Sequence, residues 1–362
     1  MIAKLEAYGF SKSALKFIYD YLKNRIQRTK VNGSYSSWRE LLSGIPQGSI
    51  LGPLLFNIFI NDIFFFLDKT KIANYADDNT TYAIENDIME LLKTLETETY
   101  SVLNWFRINE MKPNQNKCHL FVTNKNHKQY SSDSFVFLEN TFLENEKCVK
   151  LLGVKIDQNL DFKEHITTLL REGNNKLHAL MRIRKYMSQD KLKLIMKTFI
   201  ESQFNYCPLV WMCHSRGLNK RINKLQERAL RIVYTNKNLT FEQLLEKDQS
   251  FTIHERNLQK LATEIYKVKH YLCPKPFQEL FISAIRGKSE WVLPKVKNVN
   301  TGLETIRYRG PKTWELVPEE IKKSKTLSIF KDKIKEWKPS GCLCRLCKVY
   351  IKNVGYVNVS GN

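Results

Sequence analysis

Asp77 and Asp78 are the residues whose type and spacing point most directly to chemistry. They stand in Asn74-Tyr75-Ala76-Asp77-Asp78-Asn79-Thr80, after the short run Lys71-Ile72-Ala73 and before the β-tolerant run Thr80-Thr81-Tyr82-Ala83-Ile84. This order predicts a β-hairpin with the acidic pair at its tip. Neighbours on a regular strand point to opposite faces, but the alternation breaks at a turn, so both carboxylates can aim at one point. Two carboxylates so placed repel each other unless a cation lies between them. Mg²⁺ suits that position: it is hard, takes oxygen ligands and is commonly shared between carboxylates and phosphates. Alone, the dipeptide is more often a solvated turn, so the surrounding sequence decides.

Gly44-Ile45-Pro46-Gln47-Gly48 lies upstream, followed by Ser49-Ile50-Leu51-Gly52-Pro53-Leu54-Leu55-Phe56-Asn57-Ile58-Phe59-Ile60-Asn61-Asp62-Ile63. Pro46 fixes φ, while Gly44 and Gly48 let backbone approach a ligand; the plainer reading is a loop-to-helix connection. A loop and helix of this kind, followed by a Tyr-Ala-Asp-Asp hairpin, resembles motifs B and C of the reverse transcriptases of non-LTR (LINE-like, jockey-type) retrotransposons. The resemblance is specific over residues 44–80 and loose beyond 235. It implies RNA-directed DNA polymerase chemistry with Mg²⁺, or Mn²⁺, at Asp77 and Asp78. It implies an RNA template, a DNA primer and deoxynucleoside triphosphates as partners. Pro46, Gln47, Gly48 and Tyr75 would lie around the template and incoming nucleotide; Gln47 also fits an amide that braces its own loop. Lys117 resembles the motif D lysine near the β- and γ-phosphates, or is a plain surface lysine. Leu152, Gly153 and Val154, within Lys150–Asp157, resemble the primer grip; the same run also reads as an ordinary strand with a glycine bulge.

Composition supports a folded, polyanion-binding chain. Of 362 residues, 43% are hydrophobic, and the net charge of +21 calls for an acidic partner, nucleic acid first. The apolar run 50–67 contains Gly52, Pro53, Asn57, Asn61 and Asp62, so it is not expected to span a membrane. No secretory leader is expected, because Lys4 and Glu6 interrupt any apolar stretch at the start. The eight cysteines are scattered outside the tail, which predicts a reduced, intracellular setting; the resemblance implies nucleus and cytoplasm, as a ribonucleoprotein.

The expected fold is α+β; the resemblance implies a partial polymerase palm, an antiparallel sheet with helices, over 1–161, then a helical thumb over 162–235. A mixed C-terminal region over 236–340 and a cysteine-containing tail over 341–362 follow. Periodicity predicts helices over 1–25, 50–67 and 87–106, and a hairpin over 27–42 around Asn32-Gly33. Strands are expected at Cys118–Val122 and Lys150–Asp157. Three helical stripes are expected after Phe162, and another helix over 255–272; 295–312 reads as basic and strand-like. Arg221, Lys224, Arg228 and Arg231 line one side of the third helix and are candidates for backbone phosphate contact, or a solvated face.

Cys342, Cys344 and Cys347 are close in sequence, and some members of the family end in a Cys/His zinc knuckle. Structural zinc takes four ligands and no fourth follows here, so the tail is expected to be unliganded. Cys207, Cys213 and His214 read as packing. Motif A, which would bring the carboxylate partner of Asp77, would precede Ile2-Ala3-Lys4-Leu5-Glu6, and the chain opens at Met1 without it or the fingers. The sequence is therefore expected to be an N-terminally truncated piece, inactive as it stands. The competing reading is a non-enzymatic nucleic-acid-binding remnant.

Overall fold

The computed structural model describes residues 1–123, 135–138, 141–236, 238–284, 290–296, 302–342, 344–351 and 355–358. The chain forms two compact units, the first mainly Met1–Val122 and the second mainly from Lys147 onward.

The first unit opens with two helices, Ile2–Ala7 and Lys12–Leu22, where periodicity suggested one. The break has a local cause. Gly9 turns at φ +84°, and Ser11 then caps the second helix by accepting from the Ala14 N–H. Lys30–Val31 pairs with Ser34–Tyr35 across Asn32-Gly33, both at positive φ as a tight hairpin turn requires. Arg25–Gln27 pairs with Arg39–Leu41 to extend the ribbon. The helix expected over 50–67 is α-helical only over Leu51–Ile60 and tightens to 3-10 geometry over Asn61–Phe66. Leu54, three residues after Leu51 on the apolar stripe with Leu55, Ile58 and Phe59, is more than half exposed. The long helix Ile88–Ile108 starts at Asp87, whose carboxylate accepts from the Met89 and Glu90 N–H groups.

Ile60, Ile63, Ile72, Val102, Trp105 and Phe106 form the core beneath the Asp77–Asp78 hairpin. Burying each such side chain contributes about 1.5–3 kcal/mol. The strand expected at Cys118–Val122 is absent. Gln115–Lys117 is a 3-10 turn, and only an isolated bridge joins Leu120 to Asn145. The Val122 N–H donates to the Asn145 side chain, so no ladder continues there.

The second unit begins with a hairpin, Cys148–Leu151 against Val154–Asp157, where a single strand was expected. Leu152 and Gly153 make its turn at φ +46° and +86°; the glycine serves a turn and not a bulge. Helices Lys163–Ile183, Gln189–Ile195 and Arg216–Tyr234 share a core that includes Ile166, Leu177, Met196 and Ile222. Helix Ile253–Lys269 packs Ile265 and Tyr266 against Trp314 and Phe330 from helices Ile306–Leu316 and Leu327–Glu336. Part of the strand-like stretch 295–312 is thus helical from Ile306, while 297–301 lies outside the described residues. Gly310 permits that packing, since a Cβ there would come within 2.6 Å of Ile265 Cδ1.

The described strands form six separate two-stranded antiparallel sheets among many helices, a mixed α+β architecture consistent with a partial reverse transcriptase fold. Among the described residues, no helix is long and apolar enough to cross a membrane.

Candidate active site

The acidic hairpin pairs Lys71–Tyr75 with Asp78–Tyr82, with Tyr75 opposite Asp78 and Asn74 opposite Asn79. Ala76 and Asp77 form the two-residue turn. Ala76 sits at φ +52°, a left-handed conformation that costs a non-glycine residue about 1–2 kcal/mol. The Asn79 side-chain amide donates to the Asp77 carbonyl and braces the tip. Asp77 and Asp78 are both exposed. Neither carboxylate has a hydrogen-bond or ion-pair partner among the described residues, and no third acidic, histidine or cysteine ligand joins them there. Two bare carboxylates with no soft donor beside them form a donor set that suits a hard divalent cation.

Buried polar groups hold this hairpin from below. Glu98, on the long helix, is almost fully buried. Its Oε2 accepts from the Asp68 N–H at 2.9 Å, the Lys69 N–H at 3.3 Å, and the Thr70 N–H and hydroxyl at 3.4 and 3.2 Å. These donors belong to the chain that leads directly into the strand Lys71–Tyr75. Burial pushes the Glu98 carboxyl up, but hydrogen bonds from Asp68, Thr70 and Lys69 together outweigh it and hold the pKa below the usual carboxylate range. Asp62 does similar work at the end of the preceding helix. Its Oδ1 accepts from Trp105 Nε1 at 2.9 Å and from Lys4 Nζ at 2.8 Å. The Lys4 ammonium also lies over the Phe59 and Trp105 rings.

The Gly44–Gly48 loop lies in the same unit. Arg25 donates to the Ser43 and Gly44 carbonyls at its start. Gly44 and Gly48 turn at φ +79° and +77° with open space beside them. Ser49 Oγ donates to the Pro46 carbonyl at 2.8 Å and accepts from the Gly52 N–H at 3.0 Å, locking the loop to the helix start. A Cβ at Gly52 would lie 2.9 Å from that Oγ and 3.0 Å from the Pro46 oxygen. Pro46 is half-buried, whereas Gln47, Gly48 and Tyr75 are exposed. Lys117 is exposed on its 3-10 turn, its ammonium without a partner among the described residues. A shallow concavity lined by Tyr8, Phe10, Asn57, Ile58 and Asn61 includes none of these residues.

The remaining candidates belong to the second unit. Leu152 and Gly153 form a hairpin tip that Tyr206 covers, its hydroxyl donating to the Leu152 carbonyl at 2.5 Å; Val154 is buried. Arg221, Lys224 and Arg228 are exposed, and Arg228 donates to Asn174 Oδ1. Arg231 differs from them. It is half-buried and donates to Glu227, one turn earlier, so its charge is already answered within the helix.

Residues 1–156 match the family model described as reverse transcriptase (RNA-dependent DNA polymerase). That stretch is similar to the reverse transcriptase family. The chain's similarity to curated relatives agrees. The chain is 27% identical over 237 residues to a probable RNA-directed DNA polymerase from transposon BS of Drosophila melanogaster, covering 62% of this chain and 25% of that protein. It is 26% identical over 226 residues to the RNA-directed DNA polymerase from mobile element jockey of the same fly, covering 59% of this chain and 24% of the relative. A Pol polyprotein from the type-1 retrotransposable element R1 2 of Nasonia vitripennis is 24% identical over 179 residues, covering 46% of this chain and 43% of that protein. The segment is thus similar to polymerases of insect mobile elements. The chain spans about a quarter of the length of the BS and jockey proteins. No solved structure matches it.

Glu98, Asp62, Lys4 and Gly52 are the positioning residues that motif reading alone did not single out. Glu98 had a visible signal. Leu91, Leu95, Val102 and Trp105 fall on one helical stripe, and Glu98 is in register with them.

Proposed function

We propose that this chain carries the palm and thumb of an RNA-directed DNA polymerase of a non-LTR retrotransposon. The observation that carries the reading is the pair Asp77 and Asp78: exposed, unpartnered, and held at a braced turn within a reverse transcriptase segment. The reaction is in-line attack of a primer 3′-hydroxyl on the α-phosphate of a deoxynucleoside triphosphate, with pyrophosphate leaving. Asp77 would hold Mg²⁺, or Mn²⁺, with Asp78 assisting. The metal, when bound, lowers the pKa of the hydroxyl and neutralises the departing phosphates. Gln47 and the Pro46–Gly48 backbone would face the template strand and the nascent pair, and Tyr75 would pack beside them. Lys117 would donate to the β- and γ-phosphates. Leu152–Val154 would support the primer end, and Arg221, Lys224 and Arg228 would follow the phosphate backbone. The RNA template and primer make the working form a ribonucleoprotein of nucleus and cytoplasm.

A second reading, a nucleic-acid-binding protein without catalysis, is favoured by one observation: no third ligand stands beside Asp77 and Asp78 among the described residues. Iron-directed cleavage separates the two. Fe²⁺ replaces Mg²⁺ at carboxylate sites and generates hydroxyl radicals that cut nearby backbone. Cuts at 75–79 that Mg²⁺ suppresses, and that Asp77→Asn with Asp78→Asn abolishes, are the expected result. An uncut hairpin, or cutting unchanged in the double variant, would overturn the metal assignment. Primer extension on an RNA template, run beside Asp77→Ala, then tests the chemistry.

A further inference from the structure

The tail cysteines do not stand alone. His254, Cys342, Cys344 and Cys347 bring one imidazole nitrogen and three thiols together, all four donor atoms within 4.8 Å of one another. We propose that these four residues bind a structural Zn²⁺. The fourth ligand, which the tail itself lacks, comes from the first turn of helix Ile253–Lys269, 88 positions before Cys342. A zinc knuckle takes its ligands from one short segment; this site instead joins two distant ones.

The two distances from Cys344 are close to those a tetrahedral ion imposes. Zn–S bonds of about 2.3 Å and Zn–N bonds of about 2.0–2.1 Å give tetrahedral edges of about 3.8 Å between sulfurs and about 3.6 Å between sulfur and nitrogen. Cys344 Sγ lies 3.6 Å from Cys347 Sγ and 3.4 Å from His254 Nε2. A disulfide would need about 2.05 Å between sulfurs and would leave one of three thiols over. A donor set of three sulfurs and one nitrogen suits zinc, whereas the common iron–sulfur clusters draw on four cysteines.

The surroundings fit a closed site. His254, Cys342 and Cys344 are buried and Cys347 is half-buried, packed among Met212, Leu258, Leu261 and Leu346. Zn²⁺ with three thiolates carries one net negative charge. Arg309 neighbours Cys344 and is paired with Glu304, and Arg345 lies 3.9 Å from the same glutamate, which leaves one positive charge beside the centre. Arg345 also latches the tail by donating to the Cys213 and His214 carbonyls. With Nε2 on the ion, His254 Nδ1 would carry the ring proton; Nδ1 has no hydrogen-bond partner among the described residues. Four protein ligands leave no open position, so the ion fastens the tail onto helix Ile253–Lys269 and does no chemistry.

The full chain, purified under reducing conditions, is expected to hold one zinc per molecule by elemental mass spectrometry. Replacement with Co²⁺ is expected to give thiolate-to-cobalt charge transfer and the intense visible bands of tetrahedral cobalt. His254→Ala should weaken zinc by at least the roughly 100-fold that losing even an outer partner of a ligand can cost. His254→Cys, which keeps four donors, should retain zinc at full stoichiometry, so a merely misfolded alanine variant is recognised. Absence of zinc, a weak octahedral cobalt spectrum, a disulfide among the three cysteines, or zinc content indifferent to His254→Ala would each overturn the proposal.

Discussion

Glu98→Gln removes one charge from beneath the acidic hairpin and keeps the side chain's shape. The carboxylate is buried and faces four donors, the two nearest being the Asp68 N–H at 2.9 Å and the Thr70 hydroxyl at 3.2 Å. Charge-assisted hydrogen bonds are roughly twice as strong as neutral ones, about 1.5–3 against 0.5–1.5 kcal/mol net. Losing the charge on two such bonds therefore costs about 2 kcal/mol at neutral pH, or roughly 30-fold in a local opening equilibrium. Hydrogen exchange of the amides in 71–82, compared between the two proteins, reads that opening directly. The pH dependence supplies an internal control. The folded pKa of Glu98 is depressed, so its stabilisation is complete above the unfolded value of about 4.3 and is lost as pH falls through the folded value. The gap between wild type and Glu98→Gln should thus be constant above about pH 5 and close in stronger acid. Equal protection at pH 7, or a gap that persists undiminished in acid, would show that Glu98 does not hold the hairpin as a charged acceptor.

Two further outcomes follow from single geometries. Gly52→Ala should displace Ser49 and the Pro46 carbonyl, since its Cβ would come within 3.0 Å of both, and should cost about 1–3 kcal/mol in urea denaturation; an unchanged midpoint would mean that the loop shifts freely. Glutamate at Arg221, Lys224 and Arg228 should lower the slope of log affinity for duplex DNA against log salt by up to about 2.7, three contacts at about 0.9 each, while Arg231→Ala should change it little because Glu227 already holds that charge. An unaltered slope in the triple variant would assign those side chains to solvent.

The chemistry-bearing hairpin was legible because its signals are local. A β-tolerant run, a turn and two acids lie within a dozen residues, and strand pairing over so short a span needs no distant partner. The Asn32-Gly33 hairpin was legible for the same reason. Element ends were less so. The helix over 50–67 tightens after Ile60, and the helix over 1–25 restarts at Ser11, because caps and turns at single residues outrank a continuing apolar period. Cys118–Val122 has strand-like composition, yet no strand forms where a side chain, Asn145, takes the Val122 N–H that a ladder would use. Arg231 looked equivalent to its three neighbours in the stripe, and its half-buried position and contacts with Glu227 and the Asn236 carbonyl separate it.

Glu98 and His254 show what a sequence does and does not disclose about buried polar residues. Each is in register with an apolar face: Glu98 with Leu95, Val102 and Trp105, and His254 with Leu258, Leu261 and Ile265. A titratable group placed at such a position cannot stay buried without partners, because its desolvation would otherwise cost several kcal/mol. The register therefore announces that partners exist. It says nothing of where they are. For Glu98 they lie 28 to 30 residues earlier, three of the four in backbone amides that no residue type reveals. For His254 they lie 88 or more residues later, in thiols that looked one ligand short when counted within their own segment. Counting the tail's donors together with polar residues stranded on apolar helix faces, instead of within one short window, would have supplied the missing ligand. His254 carries the motif's fourth position because helix Ile253–Lys269 buries the face on which it stands, and the tail must cross that face to cover Leu258 and Leu261.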